Sequence, residues 1–275
     1  MIISKPPHGL MLNMAHPNAQ NLVGCYPFLE SAGLLSRDAV KNRSVYLKGI
    51  TQSSLSGWSD NGILFNGTTD FVTARVPTIP EHNFGTSPFS IFSQFKTTSA
   101  GSTLTLCGKW NSGGAAGVGR INYRLVMKDA VGANVAGRVA FVVYESGSGL
   151  NRSVTTTRAL NDGKIHTILC GINRAGLMYM YVDGVFDLTG NTVTVGTNIT
   201  NTGSFAIGAL DASTDVGFWF FNGTIYHTRL YNKAPSATLA AALHANPYAD
   251  FMVSPSRYYL TPLGVTNIKR VNNIN

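Results

Sequence analysis

The chain has 275 residues, of which 44% are hydrophobic and 12% are charged, and its formal net charge is +8. This composition supports a large apolar core and excludes disorder of the whole chain. The basic residues are scattered, with Lys269-Arg270 as the only adjacent pair, so the sequence predicts no nucleic-acid partner. No segment contains the roughly 18 consecutive apolar residues of a transmembrane helix, so we expect no membrane partner.

The N-terminal residues 1–21 contain Pro6-Pro7 and His16-Pro17 but no apolar period, which predicts an extended arm. From Leu22 onward, apolar and polar residues alternate in short segments, the pattern of half-buried β-strands. The predicted strands are Leu22–Phe28, Ile63–Phe65, Phe71–Val76, Phe89–Lys96, Ile121–Met127, Val139–Tyr144, Ile165–Ile172, Leu177–Val182, Val185–Leu188, Ser204–Ala209 and Ile225–Tyr231.

Three of the Asn-Gly and Asp-Gly pairs in the chain give turn signals between or beside these strands. The tetrapeptide Phe-Asn-Gly-Thr occurs at 65–68 and again at 221–224, and Asp183-Gly184 separates two short apolar segments. Asn, Asp and Gly tolerate positive φ, so such pairs favour tight turns. We expect each Phe-Asn-Gly-Thr copy to reverse or bend a strand near a sheet edge, and the three signals together to indicate an antiparallel sandwich.

One helix is predicted, at residues 236–245, where Ser236 is a suitable N-cap and Asn246-Pro247 a suitable stop. Leu239 and Leu243 are four residues apart, so they would place one apolar stripe against the sandwich. The predicted organisation is an arm at 1–21, a sandwich domain at 22–250 and a C-terminal arm at 251–275. The last segment is either loose or a contact element.

The motifs, in chain order, resemble those of the laminin-G-like, concanavalin-A-like jelly-roll family, particularly its members in bacteriophage virion proteins. The segments that carry the resemblance are His16-Pro17 with Leu22–Phe28, Gly62–Val72, Phe89–Phe95, Asp162–His166 with Tyr181–Gly184, Phe221–Ile225, Arg229–Asn232 and Ala245–Tyr248. Ile165 departs from the family, which usually has Trp before this His. The resemblance implies an all-β, two-sheet antiparallel jelly-roll sandwich with one short C-terminal helix and extended terminal arms.

The chain offers little catalytic chemistry. Its three glutamates, Glu30, Glu81 and Glu145, have no other carboxylate within four residues, whereas glycoside hydrolysis needs two facing carboxylates. The cysteines Cys25, Cys107 and Cys170 are widely spaced and predict buried free thiols. We therefore expect no catalytic residue, no enzyme activity and folding in a reducing cytoplasm.

Carbohydrate binding needs less, namely an exposed aromatic platform and a few polar partners at the rim of the sandwich. The candidate ligand-binding residues are Trp110, Asp211, Asp215 and Trp219. Packing at an ordinary sheet edge is the competing interpretation, since alternate members of Phe218–Phe221 must face the core of a strand. No cofactor is predicted, although Asp70 and Asp215 are candidate calcium ligands in rim loops.

Two functions remain open at this point. The resemblance favours a non-enzymatic virion subunit, such as a capsid decoration protein, that assembles in the bacterial host cytoplasm. Its partners would be other virion subunits such as the major capsid protein, with a homo-oligomer expected. The alternative is a carbohydrate-binding adhesin or tail receptor-binding lectin that attaches to a host surface glycan.

Overall fold

The computed structural model describes residues 6, 10–59, 61–74, 79–99, 103–110, 121–127, 136–144, 151–173, 175–190, 193, 198–200, 203–211 and 217–253. The described strands in the first half of the chain are β1 (Leu10–Leu12), β2 (Leu22–Tyr26), β3 (Leu35–Asp38), β4 (Arg43–Lys48), β5 (Gly57–Ser59), β6 (Gly62–Asn66), β7 (Phe71–Thr73), β8 (Phe89–Lys96), β9 (Leu104–Trp110), β10 (Ile121–Met127) and β11 (Val139–Tyr144).

The described strands in the second half are β12 (Asn151–Thr155), β13 (Ile165–Ile172), β14 (Met178–Val182), β15 (Val185–Gly190), β16 (Ser204–Ile207), β17 (Leu210–Asp211), β18 (Gly217–Phe218), β19 (Asn222–Tyr231) and β20 (Phe251–Val253). The helix α1 spans Ala237–Ala245, and two short 3-10 turns span Pro17–Ala19 and Pro80–His82. Several strands begin and end where the alternating pattern places them, including β8, β10, β11 and β13.

Sixteen of the described strands form two eight-stranded sheets with antiparallel pairings, while β1 pairs with β20 and β17 pairs with β18 in separate two-stranded sheets. Sheet I has the order β15-β14-β13-β8-β19-β6-β5, with β2 also paired to β19. Sheet II has the order β12-β11-β10-β9-β16-β7-β4-β3. The predicted all-β sandwich with one short C-terminal helix is therefore confirmed.

The main core lies between the two sheets, because every second residue of a strand faces inward. Sheet I contributes apolar side chains such as Phe89, Ile91 and Phe95, and sheet II contributes Leu125 and Phe141; all are buried. Aromatic contacts join the layers, for example between Phe89 and Phe141, whose ring centroids are 5.7 Å apart. The core fixes which residues of each strand face outward.

The two Phe-Asn-Gly-Thr segments lie beside each other in sheet I. The first ends β6 and turns the chain toward β7 of sheet II, and the Asn66 side chain accepts hydrogen bonds from the backbone amides of Thr68 and Thr69. The second does not reverse the chain: it starts β19, and Asn222 pairs with Asn66 across the sheet. Its glycine is needed because a Cβ on Gly223 would lie 2.4 Å from the Lys96 carbonyl oxygen.

The turn at Asp183-Gly184 is the tight hairpin that its sequence predicts, joining β14 to β15 with positive φ at both residues. The Asp183 carboxylate accepts a hydrogen bond from the Thr167 amide at 2.9 Å and contacts His166 Nδ1 at 2.9 Å. His166 Nε2 lies 2.9 Å from Asp162 on its other side. The Asp162–His166 and Asp183 motifs thus form one network that ties β13 to the hairpin.

The helix covers part of the outer face of sheet I. Ser236 caps it, since its hydroxyl accepts a hydrogen bond from the Leu239 amide at 3.2 Å, and Leu239 and Leu243 are buried in a second apolar cluster with Phe92 and Tyr231. The predicted cap and apolar stripe are confirmed. Within the described residues, no helix has both the length and the apolar character needed to cross a membrane.

The described parts of the two terminal segments pair with each other. β1 and β20 form an antiparallel ribbon in which Met11 lies opposite Met252, and both side chains are exposed. Leu12 and Phe251 face inward and pack against the helix cluster. The predicted division into two arms and a sandwich domain stays a prediction.

Candidate functional site

A groove of about 600 Å³ lies on the outer face of sheet I, next to the region that the helix covers. Its floor is a row of residues on adjacent strands: Ile165 pairs with Lys96, Lys96 with Thr224, and Thr224 with Leu64. Directly paired residues of neighbouring strands face the same side of a sheet. The core holds the other face of these strands, so this row faces outward.

A β-bulge in β19 shapes the groove. The pairing with β8 shifts between Ile225 and His227, which leaves Tyr226 as the extra residue. Ile225 is buried in the main core, Tyr226 lines the groove, and His227 stacks on Tyr248 with ring centroids 5.0 Å apart. A bulge redirects side chains locally, and here it places an aromatic ring in the groove.

The wall next to the helix is held by a buried ion pair. Arg229 of β19 contacts both oxygens of the Asp250 carboxylate, at 2.6 and 2.7 Å, and neither side chain is exposed to solvent. Arg229 also donates a hydrogen bond to the Pro247 carbonyl oxygen. These contacts fasten the segment after the helix to the sheet, and that segment places Tyr248 at the groove.

The remaining groove residues supply neutral hydrogen-bonding groups. They are Ser59 and Asn61 beside the β5–β6 turn, Gln94 in β8, Thr97 and Thr98 after it, and Asn222 and Gly223 at the start of β19. Lys96 is the single charged side chain among the described residues that line the groove, and it is exposed. Asp60, between Ser59 and Asn61 in sequence, lies outside the described residues.

The aromatic residues predicted as a ligand platform lie against the other sheet, sheet II. Trp110 at the end of β9 packs edge-on against Phe218 at 4.2 Å, and Trp219 lies 5.7 Å from Trp110 between ring centroids. We call Trp110, Phe218 and Trp219 the aromatic cluster. Trp219 also covers the buried Arg124 of β10, whose guanidinium carbon is 4.7 Å from its ring centroid.

The aromatic cluster does not follow simple strand alternation. β18 ends at Phe218, and Trp219 has a φ of +56°, a left-handed conformation that is rare for a bulky residue. Its carbonyl oxygen accepts a hydrogen bond from the Thr105 amide at 2.8 Å, and its side chain is 38% exposed. One face of the indole is therefore used to cover Arg124, while part of the side chain remains accessible.

The acidic candidates do not complete this platform among the described residues. Only the backbone of Asp211 is described, in β17, and Asp215 lies outside the described residues. The calcium candidate Asp70 is buried and accepts hydrogen bonds from the Asn66 amide and the Thr69 hydroxyl. In the part of the chain that the structure describes, no group of three or more His, Cys, Asp or Glu residues could hold a metal ion.

One cysteine lies near a histidine, although the pair has no catalytic environment. Cys25 Sγ is 3.3 Å from His227 Nε2, and both residues are buried. Burial raises the pKa of the Cys25 thiol to about 12, so the reactive thiolate is scarce at neutral pH. The three cysteines are free and buried, as the sequence predicts.

Sequence reasoning missed the groove. Its floor residues Lys96, Thr224 and Leu64 come from distant parts of the chain, and each has an ordinary local pattern. The available signal was the departure at Ile165, which the structure places at the groove. The described members of the predicted site, Trp110 and Trp219, do lie together, although on the other sheet.

Known proteins that are similar to this chain share its sandwich architecture. A family model described as the concanavalin A-like lectin/glucanases superfamily matches residues 66–239. A Trypanosoma rangeli sialidase in complex with 2,3-difluorosialic acid has a TM-score of 0.58 at 16% identity, over 83% of this chain and 33% of the sialidase. No curated protein matches the chain in sequence.

Two bacterial toxin structures are similar to a comparable extent. The receptor binding domain of botulinum neurotoxin C/D mosaic serotype has a TM-score of 0.58 at 11% identity, over 83% of this chain and 52% of that domain. The binding domain of botulinum neurotoxin DC in complex with SialylT has a TM-score of 0.55 at 11% identity, over 82% and 51%. This chain thus spans 33% to 52% of these three proteins, and at such identities they show the fold alone.

Proposed function

Because the chain belongs to the concanavalin A-like lectin/glucanases superfamily, we propose that it is a non-enzymatic carbohydrate-binding protein whose ligand lies in the groove on sheet I. The observation that carries this proposal is the combination of side chains in one concave site. Two tyrosines, Tyr226 and Tyr248, lie there with the amides of Gln94, Asn61 and Asn222.

Sugars need both kinds of group. Their C–H faces pack on aromatic rings, and their hydroxyls exchange hydrogen bonds with amides and hydroxyls. A volume of about 600 Å³ lies within the roughly 300–1,000 Å³ of ordinary small-ligand sites. The rigid sheet beneath the groove limits the entropy that binding would cost.

The same lining residues support binding rather than hydrolysis. Glycoside cleavage requires an acid and a second carboxylate about 5–10 Å apart. None of the described residues lining the groove is Asp or Glu. The sialidase and toxin folds named above are consistent with either role, so the proposal of a non-enzymatic protein rests on the groove chemistry.

The virion role predicted from the sequence stays a prediction, as do the capsid partners, the homo-oligomer and the location in phage particles. The superfamily match and the folds of the sialidase and the toxin domain support carbohydrate binding better than a capsid role. Quantitative mass spectrometry of purified particles would test the virion role directly, because a structural subunit is present at a fixed ratio to the capsid protein.

Binding of the purified chain to an array of oligosaccharides tests the proposed function. We expect selective binding, and a loss of at least about tenfold in affinity, or roughly 1.4 kcal/mol, for Tyr226→Ala and Asn61→Ala. The control is Trp219→Ala, which removes an aromatic side chain from the other sheet and should leave affinity unchanged. Far-ultraviolet circular dichroism confirms that each variant is folded.

Two outcomes would contradict the proposal in different ways. Absence of binding to every oligosaccharide would reject carbohydrate binding. Binding that Trp219→Ala abolishes and Tyr226→Ala leaves intact would keep the function but move the site to the aromatic cluster, as the sequence predicts.

A further inference from the structure

Lys96 has an unusual position for a surface lysine. It is the last residue of β8, it is exposed, and it pairs with Ile165 on one side and Thr224 on the other. A carboxylate directly opposite a lysine on a neighbouring strand would stabilise the sheet. Lys96 has an apolar and a hydroxyl neighbour instead, and it forms no ion pair with any described residue.

The surroundings of Lys96 provide partners for an anion but do not neutralise the ammonium group. The other described lining residues are uncharged, and several carry N–H or O–H donors, including Gln94, Asn222 and Thr98. A carboxylate in the groove would accept a charge-assisted hydrogen bond from Lys96, which is about twice as strong as a neutral one. The net charge of +8 would add long-range attraction for an acidic ligand.

We infer that the groove selects acidic glycans, meaning oligosaccharides in which one sugar carries a carboxylate, and that Lys96 is the residue that binds this carboxylate. The carboxylate lies at Lys96, and the sugar rings contact Tyr226 and Tyr248, which line the same groove. This inference rests on the proposed function, since it names the ligand class of the same site.

Matched pairs of probes test the role of charge. Titration calorimetry compares a galacturonic acid tetramer with its carboxyl-reduced counterpart, and 3′-sialyllactose with lactose, at low and moderate salt. The unsubstituted protein should bind the acidic member of at least one pair about tenfold more tightly than the neutral member. The preference should weaken as salt increases, because ionic screening reduces exposed charge interactions.

The variant Lys96→Gln keeps hydrogen-bonding ability and removes the charge. It should bind the acidic and neutral members of a pair with equal affinity, and Lys96→Arg should restore the preference for the acidic member. The matched control is Lys41→Gln, an equal change of net charge at an exposed turn between β3 and β4 of sheet II. It should retain the full preference.

The outcomes separate this inference from the function on which it rests. Equal binding of acidic and neutral probes by the unsubstituted protein, or a preference that survives Lys96→Gln, would overturn the inference and leave carbohydrate binding intact. An equal loss of preference in Lys41→Gln would attribute it to overall charge and overturn the role of Lys96. If the protein binds none of the four probes, the inference is overturned. Binding to other oligosaccharides on the array would still preserve the proposed function.

Discussion

The outer faces of the two sheets use their aromatic residues in opposite ways. On sheet II, the aromatic cluster packs on itself and covers the buried Arg124. On sheet I, Tyr226 and Tyr248 line a groove together with amide and hydroxyl side chains. The aromatic-rich segment therefore serves packing at one face. At the other face, the candidate site is formed by residues that do not stand out in the sequence.

The difference has a physical cause. Trp and Phe bury large apolar areas, so the side chains of a segment such as Phe218–Phe221 tend to pack against other residues. Phe221 is fully buried. Tyrosine keeps a polar end, which suits it to a surface that is partly wet. A groove also requires that something stand above the sheet, and on sheet I the segment carrying Tyr248 does so.

The largest effect is expected from breaking the ion pair that holds this segment. Asp250→Asn keeps the shape of the side chain but leaves the charge of Arg229 buried without its carboxylate. Loss of one partner of a buried pair costs about 3–5 kcal/mol in the free energy of unfolding. Denaturation in urea measures this loss, and affinity for any bound glycan should fall as well because Tyr248 loses its support.

The double variant Arg229→Met/Asp250→Leu is the control for this prediction. It removes both charges together, so its stability should be closer to that of the unsubstituted protein than the single variant's is. A single variant that unfolds at the same urea concentration as the unsubstituted protein would show that the pair does not hold the groove wall.

The next effect concerns the groove alone. Ile165→Trp places a large indole on the groove floor, at the position where the family resemblance leads us to expect Trp. The wider side chain should fill part of the groove and reduce glycan affinity by at least about tenfold, with little change in stability. Array binding and thermal melting check the two halves of this prediction.

Ile165→Val is the matched control for the indole variant, since it removes one methylene and should leave binding unchanged. Wild-type affinity in Ile165→Trp would place the ligand away from this end of the groove. A large fall in melting temperature would instead mean that the position cannot accept the larger side chain.

A smaller effect is expected at the aromatic cluster. Trp219→Ala removes the ring over Arg124 and its contacts with Trp110 and Phe218, which should cost about 1–2 kcal/mol of stability. Glycan affinity should not change. Trp219→Ala should therefore lower stability without lowering glycan affinity, whereas Tyr226→Ala should lower glycan affinity. If Trp219→Ala lowers affinity and Tyr226→Ala does not, the roles assigned to the two faces are exchanged.

The sequence predicts those features that depend on neighbouring residues and misses those that depend on contacts between distant strands. The alternation of side chains is local, so strands such as β8 and β13 are predicted to the residue, and the Asp183-Gly184 hairpin follows from its turn residues. The bulge at Tyr226 and the row containing Lys96 depend on the register between distant strands, which no local pattern contains. The left-handed conformation of Trp219 is set by its surroundings in the same way.

The smallest expected effect is a pH dependence of stability from His166, which lies beside the groove-lining Ile165. Its hydrogen bond with Asp183 raises the pKa of His166 above the usual 6.5, despite partial burial, and Asp162 adds to the shift. Because the folded pKa is raised, this contribution is complete below about pH 6.5 and is lost as the pH rises through the folded pKa. Melting temperature should therefore fall slightly across that range.

The carboxylates of the same network titrate at the other end of the pH scale. Burial opposes ionisation of Asp183, but hydrogen bonds from His166 and Thr167 lower its pKa to about 2. Its stabilisation is thus present above about pH 3.8 and is lost as the pH falls toward 2. The variant His166→Asn should flatten the alkaline slope while leaving glycan affinity at neutral pH unchanged, whereas an unaltered slope would assign it to groups outside the network. The His166 network should then affect stability without affecting glycan binding, although it lies in the same sheet as the groove.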